Sequence, residues 1–170
     1  MCEPFAVDSY VVYGKVGVCR VVGRQNIAFD DRGNSEYYVL QLMSDSRAAV
    51  YVPCDNAELV ARMRKPMQPE EIETLLACAS AESMPWIDDR NGRRVAFREI
   101  LSAGNQRQLL QMISCLYERK REKIEDGKAL SSADESALQD AVRLLEEEFA
   151  LALNLSRSDV AAYIREKLEK

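Results

Sequence analysis

The residues best suited to bind a ligand lie in one short segment around Trp86, the only tryptophan of the chain. Arg90, Arg93 and Arg94 follow closely, and Arg98 comes about one helical turn later. An indole ring can stack on a nucleic-acid base while nearby guanidinium groups contact phosphates. The segment therefore indicates a nucleic-acid contact. Two plainer interpretations stay open, because Trp86 could fill a domain junction and the arginines could simply solvate the start of a helix.

Several kinds of catalytic chemistry have no residues to support them. The chain has no histidine, which removes the commonest general base and the commonest transition-metal ligand. The five cysteines are widely spread without C-x-x-C spacing, which argues against a zinc site or a redox motif. No glycine-rich phosphate loop or nucleophile motif is present. We expect no enzymatic activity, catalytic residue, metal site or cofactor, although a carboxylate site assembled from distant segments stays an open alternative.

The charge is distributed unevenly along the chain. The net charge is −5, yet residues 90–123 hold 9 basic and 3 acidic side chains. Because affinity for duplex DNA rises with the number of phosphates neutralised, this layout suggests that a second partner assists binding. No apolar run is long enough to cross a bilayer and no secretory signal is visible, so we expect a cytoplasmic, nucleoid-associated protein with reduced thiols.

The first part of the chain has the pattern of short strands. β-branched and aromatic runs alternate with turn residues, and Asp30–Asn34 forms the clearest turn cluster. Pro53 should end the last strand, because proline cannot donate to a sheet ladder. We predict a small antiparallel sheet or barrel with strands at 9–13, 16–22, 27–29, 36–42 and 48–52.

After Pro53 the apolar residues recur at helical spacing. Pro69 followed by two glutamates predicts a helix start, and Ser131 or Ser132 predicts a cap before the stripe from Leu138 to Leu153. We predict helices from Pro69 to about Ala79, 93–101, 106–126, 132–153 and 159–167. The predicted fold class is α+β, with a β domain at 1–66 and a compact all-helical domain at 67–170.

The ordered combination of these features resembles the CarD/CdnL family of bacterial transcription regulators, over about residues 7–154. In the first domain the resemblance is carried by Asp8 to Tyr13 with Gly17, by Glu36 to Leu40, and by Val50 to Pro53 with Asn56-Ala57. In the second it is carried by Trp86, the Arg93–Leu101 helix, Ala103 to Asn105, and Leu130-Ser131 before the Leu138–Leu153 helix. The family's first module is similar to the polymerase-interacting domain of transcription-repair coupling factors.

The resemblance implies a Tudor-like β module that docks on the β subunit of RNA polymerase. It also implies a helical module that contacts promoter DNA without sequence specificity in the minor groove, at the upstream edge of the transcription bubble. There the tryptophan acts as a wedge that stabilises the open complex. We expect a monomer that lacks enzymatic activity and does not contact membranes.

The site residues follow from this resemblance together with the basic segment. We expect a DNA contact from Trp86, Arg90, Arg93, Arg94, Arg98, Arg119 and Arg121. We expect polymerase docking through Arg24, Arg47, Val50, Tyr51 and Val52. Two alternatives stay open: residues 119–121 could simply complement the dipole at a helix C-terminus, and residues 50–52 could form an interior strand.

Three features depart from the family pattern. Asp134 and Glu135 occupy a turn where the family often has a basic residue, so one expected DNA contact is lost or moved. Tyr51 stands where an arginine often supports polymerase binding. About four extra residues, 88–91, separate Trp86 from its helix.

An alternative function, from a different class, is that of a protein-interaction adaptor. In this alternative the β module docks on polymerase or another protein, and the helical half does not bind DNA.

Overall fold

The computed structural model describes residues 5–29, 33–79 and 84–168. Its contacts divide the chain into two compact units, Met1–Pro66 and Met67–Lys170. Within the described residues, the first unit is built on a five-stranded antiparallel sheet and the second is helical. The predicted α+β class, with the strands first and the helices second, is confirmed.

The strands are β1 Tyr10–Tyr13, β2 Gly17–Ile27, β3 Ser35–Leu42, β4 Ala49–Pro53 and β5 Met63–Arg64, with a 3-10 turn at Gly14–Val16. The sheet has the order β4-β3-β2-β1-β5, and every neighbouring pair is antiparallel. β2 continues through a register shift between Val21 and Gly23, past the end of the strand predicted at 16–22, and it contains only Ile27 of the strand predicted at 27–29. The predicted turn at Asp30–Asn34 falls partly outside the described residues.

Pro53 ends β4, but the prediction that it ends the last strand is wrong. A short helix, α1 (Ala57–Val60), follows it, and β5 then pairs with β1. Asn56 caps α1 by accepting a hydrogen bond from the Leu59 amide at 3.1 Å. The two-residue β5 is too short to show any strand periodicity, so only its pairing with β1 defines it.

The second unit contains five helices in the described residues: α2 Pro69–Ala79, α3 Arg90–Ala103, α4 Gln106–Glu125, α5 Ser132–Leu153 and α6 Arg157–Leu168. Asn105 and Ser131 cap α4 and α5 by accepting hydrogen bonds from amides three residues on. Gly104 and Asn154 adopt the left-handed conformation that ends α3 and α5. The cap predicted for α5 at Ser131 or Ser132 is thus confirmed, and it is Ser131.

The start of α3 differs from expectation. The helix begins at Arg90 and not at Arg93, because the Asp89 side chain accepts a hydrogen bond from the Gly92 amide at 2.9 Å. Residues expected to lie in a spacer therefore form the first helical turn. Only residues 87–89 separate Trp86 from α3, so the expectation that Arg90 and Asn91 precede the helix is wrong.

Each unit has its own apolar core. The sheet packs its inner face around residues such as Val11, Leu40 and Val52, all at 0 % exposure. The helical core includes Leu138, Leu145 and Phe149 of the predicted α5 stripe. Burial of these side chains holds α3, α4 and α5 together and thereby positions the residues of the candidate site.

Candidate functional site

Trp86 is half-buried: it packs beside the helical core, and part of its side chain is exposed to solvent. Its side chain packs against the core cluster. The guanidinium carbon of Arg93, on α3, lies 4.5 Å from the centroid of the ring, and that of Arg119, on α4, lies 5.0 Å from it. Both distances are within the range of a cation–π contact. The structure thus brings one predicted arginine from each of two helices to the predicted tryptophan.

Arg93 is directed into the protein. Only 7 % of the residue is exposed. Its Nε and Nη2 donate to Oδ1 and Oδ2 of Asp134, each at 3.0 Å, and its Nη1 donates to the Ile87 carbonyl at 2.9 Å. A desolvated guanidinium is stable only when its donors have such partners. Contrary to the expectation for this residue, the structure does not present Arg93 to a phosphate.

Asp134 explains part of the departure noted in the sequence. It lies in the first turn of α5 and is 4 % exposed. Its backbone amide donates to the Ser131 hydroxyl at 3.2 Å, while its carboxylate accepts both hydrogen bonds from Arg93. The acidic residue at this position is therefore the counter-ion of Arg93.

Three predicted arginines of α3 remain at the surface. Arg90, Arg94 and Arg98 are all exposed. They follow one another at intervals of four residues, which places them along one side of the helix. Arg90 also occupies the first turn of α3, which has no acidic residue and carries the positive end of the helix dipole. This surface can contact successive phosphates of a nucleic-acid backbone.

The two predicted arginines of α4 have different positions. The Nη1 of Arg119 donates to Glu122 Oε2 at 3.1 Å, and its side chain is 35 % exposed. Its Nε is buried without a hydrogen-bond partner among the described residues. Arg121 is exposed, but residues two positions apart do not share a helix face, so it does not join Arg119 beside Trp86.

The β4 strand forms one edge of the sheet in the described residues. It pairs with β3 in an unbroken register that places Tyr51 opposite Val39. The Leu42 amide donates to the Ala48 carbonyl, and the Cys54 amide donates to the Glu36 carbonyl. Hydrogen bonding alternates along an antiparallel pair, so the N–H and C=O of Tyr51 point away from β3, toward the free edge.

An exposed aromatic side chain, Phe29, contacts Tyr51 of this edge strand. The Phe29 ring makes edge-to-face contacts with Tyr37 and Tyr51, with centroids 5.1 and 5.4 Å apart. Phe29 is 59 % exposed and Tyr51 is 42 % exposed. Sequence reasoning did not select Phe29 or Tyr37, because their proximity to Tyr51 depends on strand pairing.

The other four residues predicted for docking differ in exposure: two are packed in the sheet and two are at the surface. Val52 is fully buried and Val50 packs against the sheet core, and their backbone hydrogen bonds run to β3. Neither presents a group to the free edge, contrary to the expectation for this pair. Arg47 is exposed in the β3–β4 connection, and its amide donates to Asp45. Arg24 is exposed on β2, 3.8 Å from the Glu36 carboxylate.

Two thiols have shifted pKa values. Burial raises the pKa of Cys54, and the Glu36 charge adds to the effect. Burial also raises the pKa of Cys115, with a further contribution from Glu118.

The described part of the chain contains no cluster of three or more histidine, cysteine, aspartate or glutamate side chains that could hold a metal ion. No helix within it is long and apolar enough to span a membrane.

The first unit matches a known protein family. Residues 5–67 match the family described as the CarD-like/TRCF RID domain. The matched segment includes all five strands described above and ends next to the division between the two units. A comparison with curated proteins found no match.

Proposed function

We propose, from the premise that residues 5–67 are a CarD-like/TRCF RID domain consistent with the CarD/CdnL family, that this protein is a non-catalytic regulator of transcription. The RID domain is an RNA polymerase-interacting domain. It docks on the β subunit of the polymerase, while the helical unit contacts promoter DNA at the upstream edge of the bubble and stabilises the open complex. Such a regulator would act in the cytoplasm, on the nucleoid.

The free edge of β4 supports the polymerase part of the proposal. A strand of a partner can add to a sheet edge through main-chain hydrogen bonds, and neighbouring side chains then provide specificity. Tyr51 offers a backbone donor and acceptor on this edge, with the exposed ring of Phe29 beside it. Arg47 lies in the turn before the same strand and can contact acidic groups of the partner.

The observation that carries the DNA part is the half-buried Trp86 with a guanidinium group from each of two helices over its ring. An aromatic wedge at a junction of unstacked bases offsets an unstacking cost of a few kcal/mol. Stacking on one base is worth about 1–3 kcal/mol, and ~1.4 kcal/mol changes an equilibrium tenfold. One tryptophan with a few phosphate contacts is therefore enough to change the occupancy of an open promoter.

Docking on polymerase makes weak DNA affinity sufficient. The chain carries a net charge of −5, which disfavours binding to DNA in free solution. A protein held at the promoter by one contact makes its second contact at a high effective concentration. The arginines of α3 then need only to orient the helical unit against the backbone.

The DNA contact is tested with Trp86→Ala on two labelled DNA fragments, one forked at the upstream bubble edge and one fully paired. We expect binding to the forked fragment to weaken about tenfold, which corresponds to the loss of one stacked base. Binding to the duplex should weaken less than about twofold. The duplex is the internal control, because a folding defect would weaken binding to both fragments. Equal losses on both, or no loss on the fork, would contradict the wedge.

The polymerase contact is tested with Tyr51→Pro and the matched control Tyr51→Val. Proline removes the amide that points to the free edge, and it is tolerated there because the bonds to β3 come from the neighbouring residues. Valine removes the ring but keeps the amide. We expect capture of the polymerase β subunit to fall further with proline than with valine. Equal capture by proline and wild type would exclude strand addition at β4.

The adaptor alternative predicts a different combination of results. Polymerase capture would still depend on Tyr51, whereas Trp86→Ala would leave both fork binding and promoter opening by polymerase unchanged. The two experiments together therefore decide between a DNA-contacting regulator and a docking protein alone.

A further inference from the structure

The guanidinium of Arg93 joins three parts of the helical unit. Its Nε and Nη2 donate to both carboxylate oxygens of Asp134, which links α3 to α5. Its Nη1 donates to the carbonyl of Ile87 at 2.9 Å and lies 3.4 Å from that of Asp88, the two residues that directly follow Trp86. Its carbon lies 4.5 Å from the centroid of the Trp86 ring. One side chain thus contacts both the indole and the backbone next to it.

The carboxylate that holds Arg93 is itself fixed. The Asp134 side chain is 6 % exposed, and that of Arg93 is 9 % exposed. The amide of Asp134 is held by the Ser131 cap at the start of α5. Two parallel hydrogen bonds define the plane of a guanidinium, which a single bond does not. An arginine held in this way offers the indole a flat surface of defined orientation.

We propose that Arg93 and Asp134 are positioning residues for Trp86: their buried ion pair holds the indole in the orientation that meets DNA, and neither side chain contacts DNA itself. This inference rests on the DNA contact proposed for Trp86. Arg119, which also lies over the ring, is 35 % exposed and pairs with Glu122 on its own helix. The fixed side of the indole is therefore the one that Arg93 contacts.

The test uses tryptophan fluorescence, excited at the long-wavelength edge where tyrosine does not absorb, because Trp86 is the only tryptophan and this signal then reports on its site alone. Asp134→Asn keeps the shape of the side chain and removes its charge. Arg93→Lys keeps the charge and removes the planar fork. The matched control is Glu135→Gln, which neutralises the next residue of α5, whose partner is Lys120 at 3.0 Å. Acrylamide quenching, thermal unfolding and binding to the forked DNA are measured for each variant of the full chain.

We expect acrylamide quenching to rise about twofold in D134N and R93K, because an unsupported indole samples more exposed orientations. Fork binding should weaken about threefold to tenfold, the loss expected when a side chain must be ordered during binding. E135Q should match the wild type in both measurements. If D134N does not fold, R93K still tests the inference, since it retains a cation beside Asp134.

Three results would overturn the inference, and they differ in what they reject. Unchanged quenching with a lowered melting temperature would show that the ion pair stabilises the fold without orienting Trp86. Increased quenching with unchanged fork binding would show that the orientation of Trp86 is irrelevant to DNA. A normal loss of fork binding in W86A together with unchanged quenching in D134N and R93K would refute positioning and leave the proposed function intact.

Discussion

Arg93 and Arg94 are adjacent and chemically identical, yet we expect different effects on stability and on the salt dependence of DNA binding when each is changed to glutamine. Arg94 is exposed on α3, whereas Arg93 is 7 % exposed and paired with Asp134. The first should contribute to DNA binding with little effect on stability. The second should contribute to stability and make no direct phosphate contact.

The magnitudes follow from these environments. Arg93→Gln leaves the buried carboxylate of Asp134 without a counter-ion, and such losses cost about 3–5 kcal/mol. In a unit of about 100 residues each kcal/mol lowers the Tm by about 4–8 °C, so we expect a fall of at least about 12 °C. Arg94→Gln should change the unfolding free energy by less than about 0.5 kcal/mol. Losing one phosphate contact should reduce the slope of log K against log salt concentration by about 0.9.

The assay combines thermal unfolding with anisotropy titrations of labelled forked DNA over a series of salt concentrations, at a temperature where every variant is folded. Arg157→Gln is the matched control, because Arg157 pairs with Glu146 at 3.2 Å, about 18 Å along α5 from Asp134. The control should leave the salt slope unchanged. A stable R93Q variant whose slope falls as much as that of R94Q would refute the buried placement of Arg93 and the reasoning built on it.

Three further outcomes are expected. Arg90→Glu should raise the Tm while weakening fork binding, because a carboxylate in the first turn of α3 is favoured by about 0.3–1 kcal/mol; a lowered Tm would contradict this. Glu148→Gln should cost about 1–3 kcal/mol in urea unfolding, because the buried carboxylate of Glu148 accepts a hydrogen bond from the Met67 amide and Gln106; wild-type stability would argue against these bonds. Burial raises the pKa of Cys115, so the neutral thiol stabilises the folded state. This contribution to the free energy of unfolding is complete at pH values below the usual thiol pKa, and it is lost as the pH rises through the raised pKa. Near neutral pH, iodoacetamide should therefore modify the exposed Cys78 before the buried Cys115. Peptide mass spectrometry that finds Cys115 modified first would contradict this.

The helix ends were largely predictable because they depend on local interactions. Asn105 and Ser131 each accept a hydrogen bond from an amide three residues ahead, so the residues that form the cap are close together in the sequence. Gly104 and Gly127 adopt positive φ angles after helices, as expected for residues that end them. Asp89 follows the same capping rule, but the start of α3 was predicted three residues later, at Arg93.

The candidate sites were predictable only in part. The tryptophan and the arginines of α3 are close in sequence, so residue type and spacing identified them. Whether Tyr51 lies on an edge or an interior strand depends on the order of strands in the sheet, which β4's own residues do not specify. Its contact with Phe29 depends on the pairing of β2, β3 and β4.

The amino-acid sequence alone determined the α+β class, the positions of most helices and the presence of an indole near a basic segment, because periodicity, caps and composition are properties of neighbouring residues. Tertiary structure decided which arginine turns inward. Arg93 and Asp134 are far apart in the chain, and their pairing exists only where α3 packs against α5. Burial without that partner would be prohibitively unfavourable for the guanidinium, so the fold of the helical unit determines whether Arg93 supports Trp86 or faces solvent.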